Sequence, residues 1–99
     1  MGLSLEWDAE KAAENYHKHG VSFEEAVTVF YDLLSISIED PDHSRDEQRY
    51  IDTGTSVNGR VSVVSYTERG RNIRIVSCRE ATRRERRQYE EGIREHNSN

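Results

Sequence analysis

The residues with the clearest capacity for chemistry are arginines and carboxylates in the second half of the chain. Arg74 lies in the middle of a predicted strand. The predicted strand pairing surrounds it with three polar side chains, Asp52, Ser65 and Tyr50. The five donors of a guanidinium suit bidentate binding of phosphate or carboxylate groups. Nothing in the strand pairing demands an arginine at position 74, so a functional and a structural role stay equally open.

A second predicted row, at the end of the same sheet, contains Arg49, Glu68 and Arg71. Cross-strand ion pairing accounts for Arg49 and Glu68 as well as a functional role does, and such a pair contributes only about 0.2–1 kcal/mol. His19 lies in the last turn of a predicted helix and could donate a proton, although a surface histidine is the plainer interpretation.

Metal and thiol chemistry have little support in the sequence. His17 and His19 are two residues apart on a predicted helix, whereas two histidines that share a metal on one helix face are four apart. The single cysteine, Cys78, can form neither a disulfide within the chain nor a cysteine zinc site. We therefore expect no metal and no cofactor.

The charges are unevenly distributed along the chain. Residues 1–52 contain 4 Lys/Arg against 13 Asp/Glu, and residues 53–99 contain 10 Arg against 6 Glu. Such a separation can attract a polyanion to one side of an acidic protein. The alternative is that the charges interleave on a solvated surface.

The length of 99 residues predicts a single domain over 1–99, with a compact part at about 5–93 and a frayed tail. The sequence lacks the run of about 20 apolar residues that a transmembrane helix needs. Its first residues do not resemble a signal peptide. These features lead us to expect a cytoplasmic protein that does not associate with membranes.

Capping patterns predict three helices. Asp8 is a suitable N-cap for a helix over residues 9–19, which Gly20 would end. Ser22 opens a second helix with Glu25 at the capping-box position, and this helix should end near residues 31–32. A second capping box, Thr82-Arg83-Arg84-Glu85, predicts a helix from residue 83 to about residue 93.

Alternating apolar residues predict four strands. The first surrounds Leu34, Ile36 and Ile38, and a polar loop then reaches about residue 46. The others cover residues 47–57, 60–68 and 71–78. Asn58-Gly59 predicts a two-residue type I′ turn, and Arg69-Gly70 predicts a weaker two-residue turn. The result is an α+β domain with two N-terminal helices, a four-stranded, mostly antiparallel sheet and a C-terminal helix.

These turn lengths determine the predicted register. They pair Ile51 with Tyr66, and Ser65 with both Asp52 and Arg74. The predicted core face contains Ile51, Thr53, Val64, Tyr66, Ile73 and Ile75. The opposite face is predicted to contain Tyr50, Asp52, Ser65, Thr67, Asn72 and Arg74 at one end, and Val61, Val63, Val76 and Cys78 at the other.

The chain resembles the BrnT-type toxins of bacterial type II toxin–antitoxin systems. The resemblance extends over about residues 5–90, and the ordered string is more specific than any single motif in it. The residues that carry it are Glu6-Trp7-Asp8, Lys11-Ala12, Asn15, Lys18-His19-Gly20-Val21, Ser22-Phe23-Glu24-Glu25-Ala26, Phe30, Asp32, Asp42-His43-Ser44, Glu47, Arg49, Gly54, Thr67-Glu68-Arg69-Gly70, Arg74-Ile75-Val76-Ser77, Arg79, Ala81-Thr82-Arg83-Arg84-Glu85-Arg86 and Tyr89.

The resemblance implies a RelE-like fold and a ribonuclease that halts translation. It also implies neutralisation by a ribbon-helix-helix antitoxin, with DNA contacted only through that antitoxin. A homodimer is a possible further expectation from the residues themselves, because the end of the second sheet face that contains Val61, Val63 and Val76 needs a cover. That cover could be the C-terminal helix or a partner.

Metal-free RNA cleavage needs a base for the ribose 2′-hydroxyl, a cation for the phosphorane charge and an acid for the leaving oxygen. We expect Arg74 and Arg79 to stabilise the phosphate, Glu68 to act as base and His19 as acid, and Arg49 to orient Glu68 or bind phosphate. Lys18, Tyr50, Arg69, Arg71 and Arg83 are the predicted RNA-binding residues. The alternative is a non-catalytic partner of the antitoxin that acts as a co-repressor.

Overall fold

The computed structural model describes residues 4–43 and 47–97. The predicted end of the polar loop at 44–46 and the last two residues of the predicted tail lie outside this part. The elements are β1 (Ser4–Glu6), α1 (Ala9–His19), α2 (Phe23–Val29), β2 (Ile36–Glu39), a short 3-10 turn (Pro41–His43), β3 (Arg49–Thr55), β4 (Val61–Arg69), β5 (Asn72–Glu80) and α3 (Arg83–Asn97).

The sheet has five strands in the order β1-β5-β4-β3-β2, and only the β1–β5 pair is parallel. The predicted α+β class and the mostly antiparallel sheet are confirmed. The predicted count of four strands is wrong, because β1 was not foreseen. With three residues, β1 is too short to show the alternation by which strands are recognised.

The three predicted helices are present with their predicted caps. Asp8 accepts a hydrogen bond from the Glu10 amide at 2.8 Å, and Gly20 ends α1 with φ of +71°. Ser22 accepts from the Glu25 amide at 3.0 Å. α2 ends at Val29, earlier than predicted, and α3 continues to Asn97, later than predicted.

The hairpin between β3 and β4 differs from the predicted type I′ turn. Its loop has three residues, 57–59, closed by a bond of 2.9 Å from the Ser56 amide to the Arg60 carbonyl. Gly59 has φ of +78°, and no other residue of this loop has positive φ. A three-residue loop of this kind ends in a left-handed residue.

Glu25 of α2 holds the two residues that close this loop. Its carboxylate accepts from Ser56 Oγ at 2.6 Å and from Arg60 Nε at 3.0 Å. The Arg60 guanidinium lowers the pKa of Glu25 to about 2. Both contacts are made by the two residues that pair across the three-residue loop. The buried carboxylate of Glu25 therefore favours this loop over the predicted two-residue turn.

The longer loop shifts β3 by one residue relative to the prediction. Ile51 pairs with Ser65, not Tyr66, and Asp52 pairs with Val64, not Ser65. A shift of one residue moves every side chain of a strand to the other face. Asp52 therefore lies on the core side of the sheet and Ile51 on the opposite side.

β5 contains a β-bulge that the sequence did not reveal. Ser65 pairs with Ser77 and Tyr66 pairs with Ile75, so Val76 has no partner on β4. The turn before β5 has two residues as predicted but comprises Gly70 and Arg71, with Arg69 paired to Asn72. Arg74 consequently pairs with Thr67, and the predicted pair with Ser65 is wrong.

The observed register determines which residues lie on each face of the sheet. The helix face, packed against α1 and α2, includes Tyr50, Asp52, Val64, Tyr66, Ile75 and Cys78; the open face includes Arg49, Ile51, Val63, Thr67, Arg74 and Arg79. Four of the six predicted core-face residues are on the helix face, and Ile51 and Thr53 are not. Tyr50, Asp52 and Cys78 are on the helix face, contrary to the prediction.

The core lies between the helix face and the first two helices. Its fully buried members are Val21, Phe23, Ala26, Val29, Val64, Ile75 and Cys78. Trp7 packs edge-on against Phe23, with ring centroids 5.9 Å apart. α3 lies on the other side of the sheet, where Tyr89 is buried and its hydroxyl contacts Asp32 and Thr55. No helix in the described part of the chain is long and apolar enough to span a membrane.

Gly54 provides a stability test of this packing. A Cβ at this position would lie 2.9 Å from Ser35 Cβ and 3.2 Å from Val29 Cγ1. We expect Gly54→Ala to lower the free energy of unfolding by about 1–3 kcal/mol through overpacking, as measured by urea denaturation.

Gly92 on α3 supplies the matched control. A Cβ there would meet only Ile36 Cδ1, at an ordinary 3.8 Å. Gly92→Ala should raise the free energy of unfolding by about 0.5–1 kcal/mol, because alanine favours the helix. An equal response of the two variants would contradict the close approach at Gly54.

Candidate functional site

One row of side chains crosses four strands on the open face. Glu6 of β1 pairs with Arg74 of β5, Arg74 with Thr67 of β4, and Thr67 with Arg49 of β3. Residues that pair directly across neighbouring strands lie on the same face. We call Glu6, Arg74, Thr67 and Arg49 the arginine row.

An ion pair stands at the β1 end of this row. Arg74 Nη1 donates to Glu6 Oε2 at 2.7 Å, and the two side chains are 28% and 35% exposed. Asn72 Nδ2 donates to the other carboxylate oxygen at 3.0 Å. These bonds, that from Arg74 first, lower the pKa of Glu6. The pair is thus an ionised carboxylate beside a guanidinium, and both groups are reachable from solvent.

Thr67 lies between the two arginines of the row. It has no exposed surface, and its Oγ1 has no hydrogen-bond partner among the described residues. A buried hydroxyl without a partner costs free energy. Buried polar groups without a hydrogen-bond partner are uncommon, and a functional role is one explanation for them. Thr67 therefore supports this row as a candidate site.

The edge of β5 is covered by β1 only at residues 72–74. Further along, the Asn15 side chain takes over the role of a neighbouring strand. Its Nδ2 donates to the Cys78 carbonyl at 2.8 Å, and its Oδ1 accepts from the Cys78 amide at 3.1 Å. The stretch between these two covers contains the bulge residue Val76.

A cleft of about 240 Å³ opens at this stretch of β5. It lies between α1 and the bulge, and its lining is mostly polar and basic. The lining residues are Lys11, Glu14, Asn15, Lys18, His19, Val76 and Ser77. Because Val76 follows Arg74 by two residues, the cleft begins about 7 Å from the arginine row along the strand. We call it the His19 cleft.

The predicted neighbours of Arg74 are elsewhere. Asp52 lies on the helix face, where burial raises its pKa to about 6. Tyr50 is also on that face and stacks on Tyr66 with ring centroids 5.4 Å apart. Burial, and then the charge of Glu68, raise the pKa of Tyr50. Glu68 therefore lies near Tyr50, on the side of the sheet away from Arg74.

Other predicted residues lie on the open face or beyond it. Arg79 shares the open face with Arg74 but is opposite Val63, four residues from Thr67 on β4, or about 13 Å. It is held by Glu85 of α3 in a two-pronged ion pair of 2.8 and 2.9 Å. Arg69 pairs with Glu47 at 3.3 Å. Arg71 is exposed in the turn and Arg83 on α3.

The structure therefore brings some predicted residues together and separates others. Arg49 and Arg74 share the arginine row, and Lys18 and His19 share the cleft. Glu6, Thr67 and Lys11 were missed as site residues. All three had a signal, their place in the family-like string, but only β1, which the sequence does not predict, brings Glu6 to Arg74.

Among the described residues, no group of three or more His, Cys, Asp or Glu side chains could hold a metal ion. The polar side chains at this site are guanidinium, ammonium and imidazole groups together with the carboxylates of Glu6 and Glu14. They suit an anionic ligand rather than a cation.

The fold and the site define a small α+β domain with cationic side chains on a solvent-reachable sheet face. The family model of the ribonuclease toxin BrnT of type II toxin–antitoxin systems matches residues 7–85. The chain therefore belongs to the BrnT family of ribonuclease toxins.

Comparison with solved structures supports the same fold. The crystal structure of the ribonuclease toxin BrnT from Brucella abortus matches with a TM-score of 0.63 and 23% sequence identity. The match covers 83% of this chain and all of that one. A comparison with curated proteins gave no match.

The Arg79–Glu85 pair yields a pH prediction. Arg79 lowers the pKa of Glu85 to about 2 from an ordinary 4.5. Because the folded-state pKa is the lower one, the stabilisation is complete above about pH 4.5 and is lost as the pH falls toward 2. Glu85→Gln keeps a capping-box residue but loses the charge. It should cost about 1–2 kcal/mol at pH 7, allowing for solvent exposure, and much less at pH 2.5.

Thermal unfolding at both pH values measures this difference. Glu90→Gln, at an exposed position of the same helix, is the matched control and should change little at either pH. A cost of Glu85→Gln that stays constant with pH would contradict the role of the ion pair.

Proposed function

We propose that this protein is a metal-independent endoribonuclease toxin that cleaves RNA at the arginine row. The observation that carries the proposal is the Glu6–Arg74 ion pair, at 2.7 Å, which is partly exposed on the open face. It provides a carboxylate base and a phosphate-binding cation side by side. Membership of a ribonuclease toxin family gives the reaction class.

In this proposal the ribose 2′-hydroxyl attacks the adjacent phosphorus, and Glu6 accepts its proton. Glu6 replaces Glu68 as the proposed base, because Glu68 lies on the side of the sheet away from Arg74. The guanidinium of Arg74 binds the phosphate oxygens and stabilises the charge that develops on them. Arg49 adds a second positive charge in the same row.

The leaving 5′-oxygen also needs a proton. The predicted donor, His19, lies in the cleft beside α1, apart from the arginine row, so we propose that water protonates the leaving oxygen and that His19 contacts a neighbouring phosphate. The arginine row and the His19 cleft are both on β5, so an RNA strand along this strand edge can contact them together. Lys18 lines the same cleft. We assign Lys18, Arg69, Arg71 and Arg83 to backbone phosphates on either side of the cleaved bond, and Arg79 to a more distant one. Tyr50, on the helix face, has no proposed contact.

The cellular role is proposed from the family. A toxin of a type II system has an antitoxin partner. We propose that this antitoxin has a ribbon-helix-helix fold and alone provides the DNA contacts of the complex. We further propose that RNA cleavage in the cytoplasm inhibits translation and that the fold is RelE-like.

The first experiment incubates the purified chain with RNA in EDTA. We expect cleavage to continue, because the proposed groups act without a metal. Arg74→Ala should reduce kcat/KM by about 10²–10³-fold, as for loss of one preorganised charge donor. Arg87→Ala, which removes the same charge from an exposed position on α3, should retain full activity. Circular dichroism is used to check that both variants fold.

Two results would contradict this proposal. Full growth inhibition by Arg74→Ala would remove Arg74 from the site. RNA binding without cleavage, with or without EDTA, would instead favour the non-catalytic co-repressor.

The second experiment separates binding from catalysis. Glu6→Gln removes a negative charge that faces the phosphate, so KM should fall while kcat falls by about 10²–10⁴-fold, the range for one acid or base. The control Glu14→Gln removes a carboxylate from the His19 cleft and should lower KM with kcat unchanged. An unchanged kcat in Glu6→Gln would exclude Glu6 as the base.

A further inference from the structure

We propose that a second copy of this chain pairs with β2, so that two sheets join edge to edge about a twofold axis at Ser37. The proposal concerns β2, at the opposite edge of the sheet from β1. It does not depend on the proposed RNA cleavage.

The edge strand β2 is unusually apolar for its exposure. All four of its residues are exposed, with Ile36 at 42% and Ile38 at 55%. On the open face they adjoin Ile51 and Val63 and line a groove of about 280 Å³ beside α3. Proteins normally protect an edge of this kind with charge, proline or a covering element.

α3 does not fill this groove. The residues that it turns toward the sheet are Glu85, Gln88, Tyr89 and Gly92, and only Tyr89 is large and apolar. The helix passes over Ile36 at Gly92, where even a Cβ would be 3.8 Å away. Ile38 lies beyond this contact and stays more exposed than Ile36.

The hydrogen bonds between β2 and β3 determine which backbone groups of β2 face the free edge of the sheet. The Asp40 amide donates to the Arg49 carbonyl at 2.8 Å, in the same register as the β2–β3 pairs. In an antiparallel pair, alternate residues bond to the same neighbour. Ile36 and Ile38 therefore bond to β3, and Ser37 and Glu39 direct their amides and carbonyls to the free edge.

The three residues Ile36-Ser37-Ile38 read the same in both directions, which fits an antiparallel pair of identical strands. With Ser37 opposite the partner's Ser37, Ile36 meets the partner's Ile38 and Ser35 meets the partner's Glu39. The two Ser37 residues exchange both of their backbone hydrogen bonds. Each Glu39 amide can bond to the partner's Ser35 carbonyl, because Ser35 uses its own amide, not its carbonyl, for the turn to Asp32.

The same register is favourable for the side chains. Ile36 and the partner's Ile38 form a non-hydrogen-bonded pair, in which side chains approach most closely. Pairs of β-branched residues stabilise such a contact. Each Glu39 lies opposite a serine rather than the other Glu39, so like charges do not meet. This complementarity of the strand with itself selects a second copy as the partner.

The twofold axis of such a pair is perpendicular to the sheet. The open faces of both copies therefore lie on the same side. Each arginine row runs from Arg49 on β3, next to β2, to the Glu6–Arg74 pair, and Arg74 on β5 is three strands away from β2. The dimer leaves both rows accessible, so dimerisation and RNA cleavage can be tested separately.

Light scattering on the free, full-length chain over a wide concentration range provides the test. We expect a concentration-dependent dimer. Ser37→Pro removes an amide that points away from β3, so the fold should survive while the dimer dissociation constant rises about tenfold or more. Ser37→Ala loses only the hydroxyl contact with Tyr66, 2.8 Å long, and should still dimerise.

A cysteine variant tests the register itself. Ser37→Cys places two thiols on the axis at a Cα separation of about 5.5 Å, which a disulfide can bridge. Mild oxidation should crosslink this variant and not the parent chain, whose Cys78 is buried. Val57→Cys, at an exposed turn position, is the control and should not give the crosslink.

Three outcomes would overturn the proposal: a monomer at every concentration, a dimer equally strong in Ser37→Pro, or equal crosslinking at positions 37 and 57. An effect of Ser37→Pro on antitoxin binding alone, with a monomeric parent chain, would show that the edge serves the antitoxin instead.

Discussion

The bulge at Val76 is the constraint on which the rest of the structure depends. Ile75 and Cys78 are both buried in the core, yet simple alternation would put an odd and an even residue of one strand on opposite faces. One extra residue between them resolves this conflict. The same residue allows Arg74 and Arg79 to share the open face, and it lines the His19 cleft. The same bulge thus buries Ile75 and Cys78 in the core and places Arg74 and Arg79 on the open face.

Local signals were sufficient to predict most of the elements. Asp8, Ser22 and Thr82 begin the helices at the predicted positions, because capping depends on neighbouring residues only. The registers depend on distant contacts. Glu25, more than thirty residues before the hairpin, favours its three-residue loop, and no pattern within the hairpin reports that contact. β1 is likewise visible only through its partner, β5.

The candidate site was predictable in its residue types and not in its arrangement. Arg49, Arg74 and His19 were identified because guanidinium and imidazole groups suit phosphate chemistry. The side chains predicted to lie beside them were wrong wherever the predicted strand register was wrong. The shift of β3 moved Asp52 away from Arg74, and the parallel strand β1 supplied Glu6 instead. A short strand at the sheet edge thereby changes which carboxylate is available as a base.

The central claim is that RNA lies on the open face, with its cleaved phosphate at the arginine row. The most direct measurement is an NMR titration of arginine side-chain Nε–H signals and histidine ring signals with RNA that lacks the attacking 2′-hydroxyl. We expect the signals of Arg74, Arg49 and His19 to shift together at the same RNA concentration. Shifts confined to the arginines of α3, with Arg74 and Arg49 unchanged, would contradict it.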